Sequence, residues 1–175
     1  MSRESALLVT VVFAALLIVV GVIAWRRRTR RDSGLAAPVG EAPAGAAQTF
    51  RSEGLYVATT RVGEPLERLA IRGLAFRSRI DVTVTDAGVA LDLVGQPRIF
   101  LAVSRIVSVG QATVAIDRVV EKDGLVRLSW TTDAGPTVDS YLRPQDTSAR
   151  DLAVAIDGVL PSPSPHTPSP SGSDA

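Results

Sequence analysis

The chain has 175 residues with 19 basic and 18 acidic side chains, one histidine and no cysteine. Disulfides and thiolate metal sites are therefore excluded, and the missing cysteines fit a reducing compartment. The near-neutral balance argues against nucleic acid, whose binders carry a strong basic excess or a basic stripe interleaved with aromatics.

After a short N-terminus of residues 1–5, Ala6 to Trp25 contains no charge. At about 1.5 Å per residue such a helix reaches roughly 30 Å, the hydrocarbon thickness of a bilayer, so residues 6–25 are predicted to form a transmembrane helix. Arg26, Arg27, Arg28, Arg30 and Arg31 follow at once, whereas only Arg3 precedes the run. Basic residues stay inside, so the chain is expected to be a single-pass protein of the cell membrane with its C-terminal region cytoplasmic. A cleaved signal peptide would show the opposite order, with basic residues first and a shorter apolar core. The arginine cluster fixes topology and is also a candidate contact for anionic headgroups, at roughly 1 kcal/mol per basic residue. Gly21 and Ala24 are small enough to permit helix contact, and the oligomeric state stays open.

Residues 26–53 are expected to be a basic juxtamembrane segment and linker. Asp32 to Glu53 is rich in Ala, Gly and Pro without apolar periodicity and reads as a flexible tether spanning about 25 Å root-mean-square. The expected domain is residues 54–160, of modal size for one core. It is nearly neutral, because the seven basic and four acidic groups of residues 1–53 account for the basic bias. Residues 161–175 alternate Pro with Ser or Thr, which favours an extended, disordered tail open to groove-binding domains or phosphorylation.

Within the domain the dominant signal is period two. Ile80, Val82 and Val84 alternate with polar residues, Asp86-Ala87-Gly88 supplies a turn, and Val89, Leu91 and Leu93 resume on the return strand. Ile99, Leu101 and Val103 mark a further strand, which Arg105 to Val109 continue after a break. Asp123-Gly124 is a hairpin signal predicted to join Ala115 to Glu121 with Val126, Leu128 and Trp130. Trp130 shares a face with Val126 and Leu128 and is expected in the core. Thr137 to Leu142 add a strand. The last element has helical spacing at Leu152, Ile156, Val159 and Leu160, a cap offered by Asp146, Thr147 or Ser148, capping-box-like spacing of Ser148 and Asp151, and Pro161 as its stop. The expected fold is mainly β: a small antiparallel barrel or sandwich of six to seven strands with one C-terminal helix, the architecture of pleckstrin-homology (PH) domains.

No catalytic constellation is expected. His166 lies in the tail, so a nucleophilic triad or histidine-based metal site would need an unstructured segment. Asp86, Asp117, Asp123, Asp133 and Asp139 are scattered singly at strand ends and turns, where solvated aspartates occur. Gly34, Gly40 and Gly45 lie in the tether and cannot form a phosphate loop between a strand and a helix. No cofactor or metal is expected. Arg68, Arg72, Arg77 and Arg79 bracket Gly73 and form the second candidate anionic-lipid contact, although Glu64, Glu67 and Asp81 lie among them. Tyr56 and Tyr141 fit either the core or the wall of a peptide groove.

Four segments carry a family likeness: GLYVATT at Gly54 to Thr60, GLAFRS at Gly73 to Ser78, DGLVRLSW at Asp123 to Trp130, and YLRP at Tyr141 to Pro144. Together with the N-terminal span they resemble membrane-anchored bacterial PH-like proteins of actinobacteria. Such proteins are often labelled as membrane, export or transport proteins, and their genes tend to lie beside pyrimidine-biosynthesis genes. The resemblance implies a fold and a location rather than a substrate, and one span is too little for a conduction pathway. The expected function is a non-enzymatic adaptor or scaffold at the cytoplasmic membrane face, binding a protein or peptide along a sheet edge or between the helix and a strand. The alternatives are an anionic-lipid-binding or membrane-organising domain and an accessory subunit of an export system. Expected partners are the lipid bilayer and a protein, with no nucleic acid.

Overall fold

A computed structural model describes residues 3–32, 34–115, 118–119 and 124–161. Helix α1 (Arg3–Asp32) contains one stretch, Leu7–Arg27, long and apolar enough to cross a membrane. The rest of the described chain folds as strands β1 (Gln48–Arg61), β2 (Glu64–Arg68), β3 (Ser78–Thr85), β4 (Gly88–Leu93), β5 (Ile99–Ala102), β6 (Ile106–Ala112), β7 (Val114–Ala115), β8 (Arg118–Val119), β9 (Leu125–Thr131) and β10 (Thr137–Pro144), closed by helix α2 (Ala149–Asp157).

The alternation in β3 and β4 gives the expected antiparallel pair, with Val84 opposite Val89 and Thr85 opposite Gly88, so that the turn itself is Asp86-Ala87. The main antiparallel sheet runs β5-β4-β3-β1-β10-β9-β6, with β2 attached to β1. β1 joins its two halves, pairing β3 over Gln48 to Tyr56 and β10 over Gly54 to Arg61. Where both partners meet, a β-carbon on Gly54 would overlap the Arg143 carbonyl, so the close approach of β1 and β10 requires glycine.

The core holds Tyr56, Leu69, Ile71, Leu74, Leu91, Ile99, Leu101, Leu128, Trp130, Leu142, Leu152 and Ile156, all essentially inaccessible. Helix α2 covers β6 and β9 with Ala149, Leu152, Ala153 and Ile156. Ser148 caps it by accepting the Asp151 amide at 3.0 Å and donating its hydroxyl to the Asp151 carboxylate at 2.7 Å. The helix ends at Asp157, before Pro161, and Gly158 forms its C-cap.

Three expectations need correction. Strand β9 pairs β6 as well as β10 and not the expected Ala115 to Glu121, of which Ala115 falls in β7 and Arg118–Val119 form its partner β8; Asp123 lies outside the described residues. Strand β2 was not anticipated because Glu64-Pro65-Leu66-Glu67-Arg68 is polar and interrupted by proline. The tether is the largest difference. Helix α1 runs to Asp32, Leu35 and Ala37 are buried in the core cluster, and β1 begins at Gln48. Residues 35–41 form a strap along β5: the Gly40 amide donates to the Arg98 carbonyl at 3.1 Å, and the Phe100 amide donates to the Pro38 carbonyl at 3.0 Å. Val39 bridges Ile99, and the Arg98 guanidinium clamps Asp92 and Glu41, each at 2.6 Å. The buried Leu35 and Ala37 side chains and backbone hydrogen bonds hold the strap, so low hydrophobicity did not leave it free.

Candidate functional site

Two surfaces stand out. The first is a rim formed by residues 69–77 and the β4–β5 turn. Leu69, Ile71 and Leu74 are fully buried and pin the segment inward, while Gly73 turns it at a φ of +83°. Arg68 donates to the Val57 carbonyl at 2.7 Å and to the Ala75 carbonyl at 3.1 Å. These anchors direct Arg72, Phe76 and Arg77 outward. Phe76 is 78% exposed, and Val94 on the neighbouring turn is 71% exposed. Together with Trp25 of α1 they line an open cavity of about 820 Å³ whose lining includes Arg72 and Arg77 and no carboxylate.

A buried hydroxyl chain supports this rim. The Trp130 Nε1–H donates to Ser140 Oγ at 2.8 Å, Ser140 Oγ lies 2.7 Å from Thr59 Oγ1, and Thr59 Oγ1 lies 2.9 Å from the Tyr56 hydroxyl. Tyr56 donates to the Leu74 carbonyl at 2.7 Å. The phenol directs its one proton toward both the Leu74 carbonyl and Thr59 Oγ1, and either hydroxyl supplies the proton between Thr59 and Ser140. Burial pushes the Tyr56 phenol well above its ordinary value, outweighing the opposing effects of Thr59 and Arg68. Tyr56 is thus a core residue, and Tyr141 is buried too.

The second surface is the edge of β6 beside α2. Among the described residues β6 pairs only with β9 and ends the main sheet, whereas the opposite edge, β5, carries the strap. A register shift between Ile106 and Ser108 leaves Val107 unpaired and 59% exposed. Val154 stands on the outer face of α2.

The sequence-derived arginines separate into groups. Arg26 and Arg27 are exposed on α1; the side chains of Arg28, Arg30 and Arg31 lie outside the described residues. Arg72 and Arg77 share the rim, and Arg79 is exposed on the adjoining β3. Arg68 does not join them, because backbone carbonyls occupy its guanidinium. Sequence reasoning missed Phe76 and Val94. The available signal was an aromatic beside Arg77 in a turn segment and an apolar residue directly before Gly95.

Several carboxylates hold the fold together. Asp86 accepts the Ala47 amide, Asp133 pairs Arg105 at 2.8 Å, and Asp81 pairs Arg51 at 3.0 Å. Asp139 is buried rather than solvated, and accepts the Ser129 hydroxyl at 2.6 Å. Asp146 accepts the Glu53 amide and the Ser52 hydroxyl, which hold its carboxyl below the ordinary value, the amide bond contributing most. Asp117, Asp123 and His166 lie outside the described residues. Among the described residues no group of three or more histidines and carboxylates is placed to hold a metal.

The sheet with its single C-terminal helix is matched by a family described as Bacterial PH domain-like, over residues 34–156. The chain belongs to that family. Its match starts beside the strap, so the bacterial PH-like domain begins near residue 34 instead of 54. Among solved structures, the chain is similar to the C-terminal domain of an unknown protein from Leishmania infantum, at 8% identity and a TM-score of 0.42, covering 67% of this chain and 88% of that one. No curated protein matches.

Proposed function

We propose that this bacterial PH-like protein is a non-enzymatic adaptor, held by α1 in the cell membrane with its domain cytoplasmic, that binds a protein or peptide along β6. The single observation carrying this reading is the asymmetry of the sheet edges: the strap covers β5, while among the described residues β6 pairs on one side only and exposes Val107. An extended peptide gains hydrogen bonds by adding to such an edge, with specificity from alternate side chains. Helix α2, packed against β6, supplies the neighbouring wall. The arginines following the span support the cytoplasmic placement through the charge asymmetry that governs orientation.

The test is in-cell proximity labelling of the full-length protein, comparing wild type, Val107→Lys and Val62→Lys at matched membrane abundance. A lysine on the edge opposes strand addition, while Val62 is an exposed valine between β1 and β2. A partner lost only with Val107→Lys supports the proposal. Equal recovery from all three overturns it.

A further inference from the structure

Strand β6 lacks the protection that a bare sheet edge normally has. Exposed edge strands are guarded by charged side chains or proline, yet Ile106-Val107-Ser108-Val109-Gly110-Gln111-Ala112 carries neither. The register shift is confined to the step between Ile106 and Ser108, and Ser108 to Ala112 then run in regular register with β9. Gly110 lies in the middle of that run with open space where a β-carbon would stand, as in strands that another backbone approaches. The opposite edge shows how this chain treats such a strand. A segment from outside the sheet, containing Pro38, lies on β5 through backbone hydrogen bonds.

A second segment of that kind starts beside β6. Helix α2 packs on β6, Val159 and Leu160 fasten its end to the core, and the chain leaves at exposed Pro161. Residues 162–175 lie outside the described residues; extended at about 3.3 Å each they reach about 46 Å, more than α2 and β6 laid end to end at about 14 and 23 Å. Their sequence suits an edge on one side only. In an extended chain successive N–H groups point to opposite edges, and proline has none. Prolines at 161, 163 and 165 therefore blank one edge while Ser162, Ser164 and His166 keep every donor on the other, and Pro168 and Pro170 repeat the pattern against Thr167, Ser169 and Ser171. Such a segment can pair with β6 and turn toward solvent an edge that no further strand can extend. Between Pro161 and Ser173 it has no carboxylate, lysine or arginine, so laying it on uncharged β6 desolvates no full charge.

We propose that residues 162–171 are the resident occupant of the β6 edge of their own chain, added there as an extended strand through their alternate N–H groups. This rests on β6 being the binding edge, as proposed above, and supplies its regulation: an incoming peptide must displace the chain's own strand. Proline holds φ at about −65° rather than the roughly −120 to −140° of a strand, which keeps the resident replaceable by a partner of ordinary strand composition.

The test is amide hydrogen exchange of the full-length protein in lipid nanodiscs. Wild type is compared with a chain stopped after Pro161 and with a chain carrying Ser162→Pro, Ser164→Pro, Thr167→Pro and Ser169→Pro, which stays extended but loses its donors. Amides of Ser108 to Ala112 that point away from β9 are expected to exchange about tenfold faster in both variants, the factor carried by about two net hydrogen bonds, while those bonded to β9 stay unchanged. Equal exchange in all three chains overturns the resident strand. Faster exchange in the truncated chain alone also overturns it, because coverage would then not depend on the donors. The wild type has no cysteine, so Val107→Cys with Ser169→Cys is expected to form a disulfide within one chain, and Val62→Cys with Ser169→Cys none. A disulfide-linked dimer overturns the assignment to the same chain. The adaptor reading fails separately: the partner lost with Val107→Lys is expected to be captured more strongly by the truncated chain, and exchange that responds to the tail with no such partner leaves the resident strand standing and removes the adaptor.

Discussion

Replacing Tyr56 by Phe removes one oxygen from the centre of the hydroxyl chain and leaves the ring in place. The Leu74 carbonyl then loses the donor at 2.7 Å, and Thr59 Oγ1 loses the same donor at 2.9 Å. Tyr56, Thr59 and Leu74 are all fully buried, so water has no ready access to replace either bond. Stranding a buried polar group costs about 1–3 kcal/mol, and the apolar gain of phenylalanine offsets part of the loss of two. The expected destabilisation is about 2–3 kcal/mol, a large share of the roughly 5–15 kcal/mol typical of a domain. With a urea dependence near 2 kcal/mol/M, the midpoint should fall by about 1 M at unchanged slope. The assay is urea unfolding of the full chain in detergent, followed by fluorescence of buried Trp130 in a Trp25→Phe background. Because Leu74 belongs to the rim, hydrogen exchange of its amide, which bonds to Ile71, should accelerate as well. A midpoint shift below about 0.25 M, equivalent to roughly 0.5 kcal/mol, would refute the reasoning that this chain braces the rim.

Four further outcomes follow from the same structure. Gly54→Val should prevent stable folding, since any β-carbon there overlaps the Arg143 carbonyl, and loss of the cooperative unfolding transition is the readout. Arg98→Ala should loosen the strap locally, speeding exchange at the Gly40 and Phe100 amides, while costing at most about 1 kcal/mol globally because its ion pairs are partly exposed. Alkali should destabilise the domain: the Tyr56 phenol is raised above 10.0 on folding, so its contribution is complete below that pH and falls away above it. Tyr56→Phe should flatten that alkaline decline. In acid the sign reverses: the Asp146 carboxyl lies below 3.8 on folding, so its contribution is present above that value and lost as pH falls through the folded pKa. Asp146→Asn should reduce the stability loss as pH falls below 3.8.

The elements legible in the sequence were those whose own residues carried the information. The β3–β4 hairpin was readable from alternation around Asp86-Ala87-Gly88, and α2 from Ser148 and its apolar stripe, because both signals are local. Trp130 fell in the core as its alternation implied. What was hidden depends on distant partners. The strap has a linker's composition, and only the backbone groups of β5 reveal it as part of the domain. Strand β2 has no alternation and forms on the second half of β1. Of four arginines near Gly73, Arg68 alone turns to backbone carbonyls, a division that charge patterning cannot express. Phe76 is exposed because Leu69, Ile71 and Leu74 take the inward positions around it.

The central claim is that the β6 edge receives a protein partner at the membrane. A photo-crosslinking amino acid at position 107 of the full-length protein, irradiated in native cells beside the same residue at position 62, tests it most directly. The account expects one discrete membrane-associated adduct from position 107 and none from 62. The absence of any adduct at 107, or matching adducts at both positions, would contradict it.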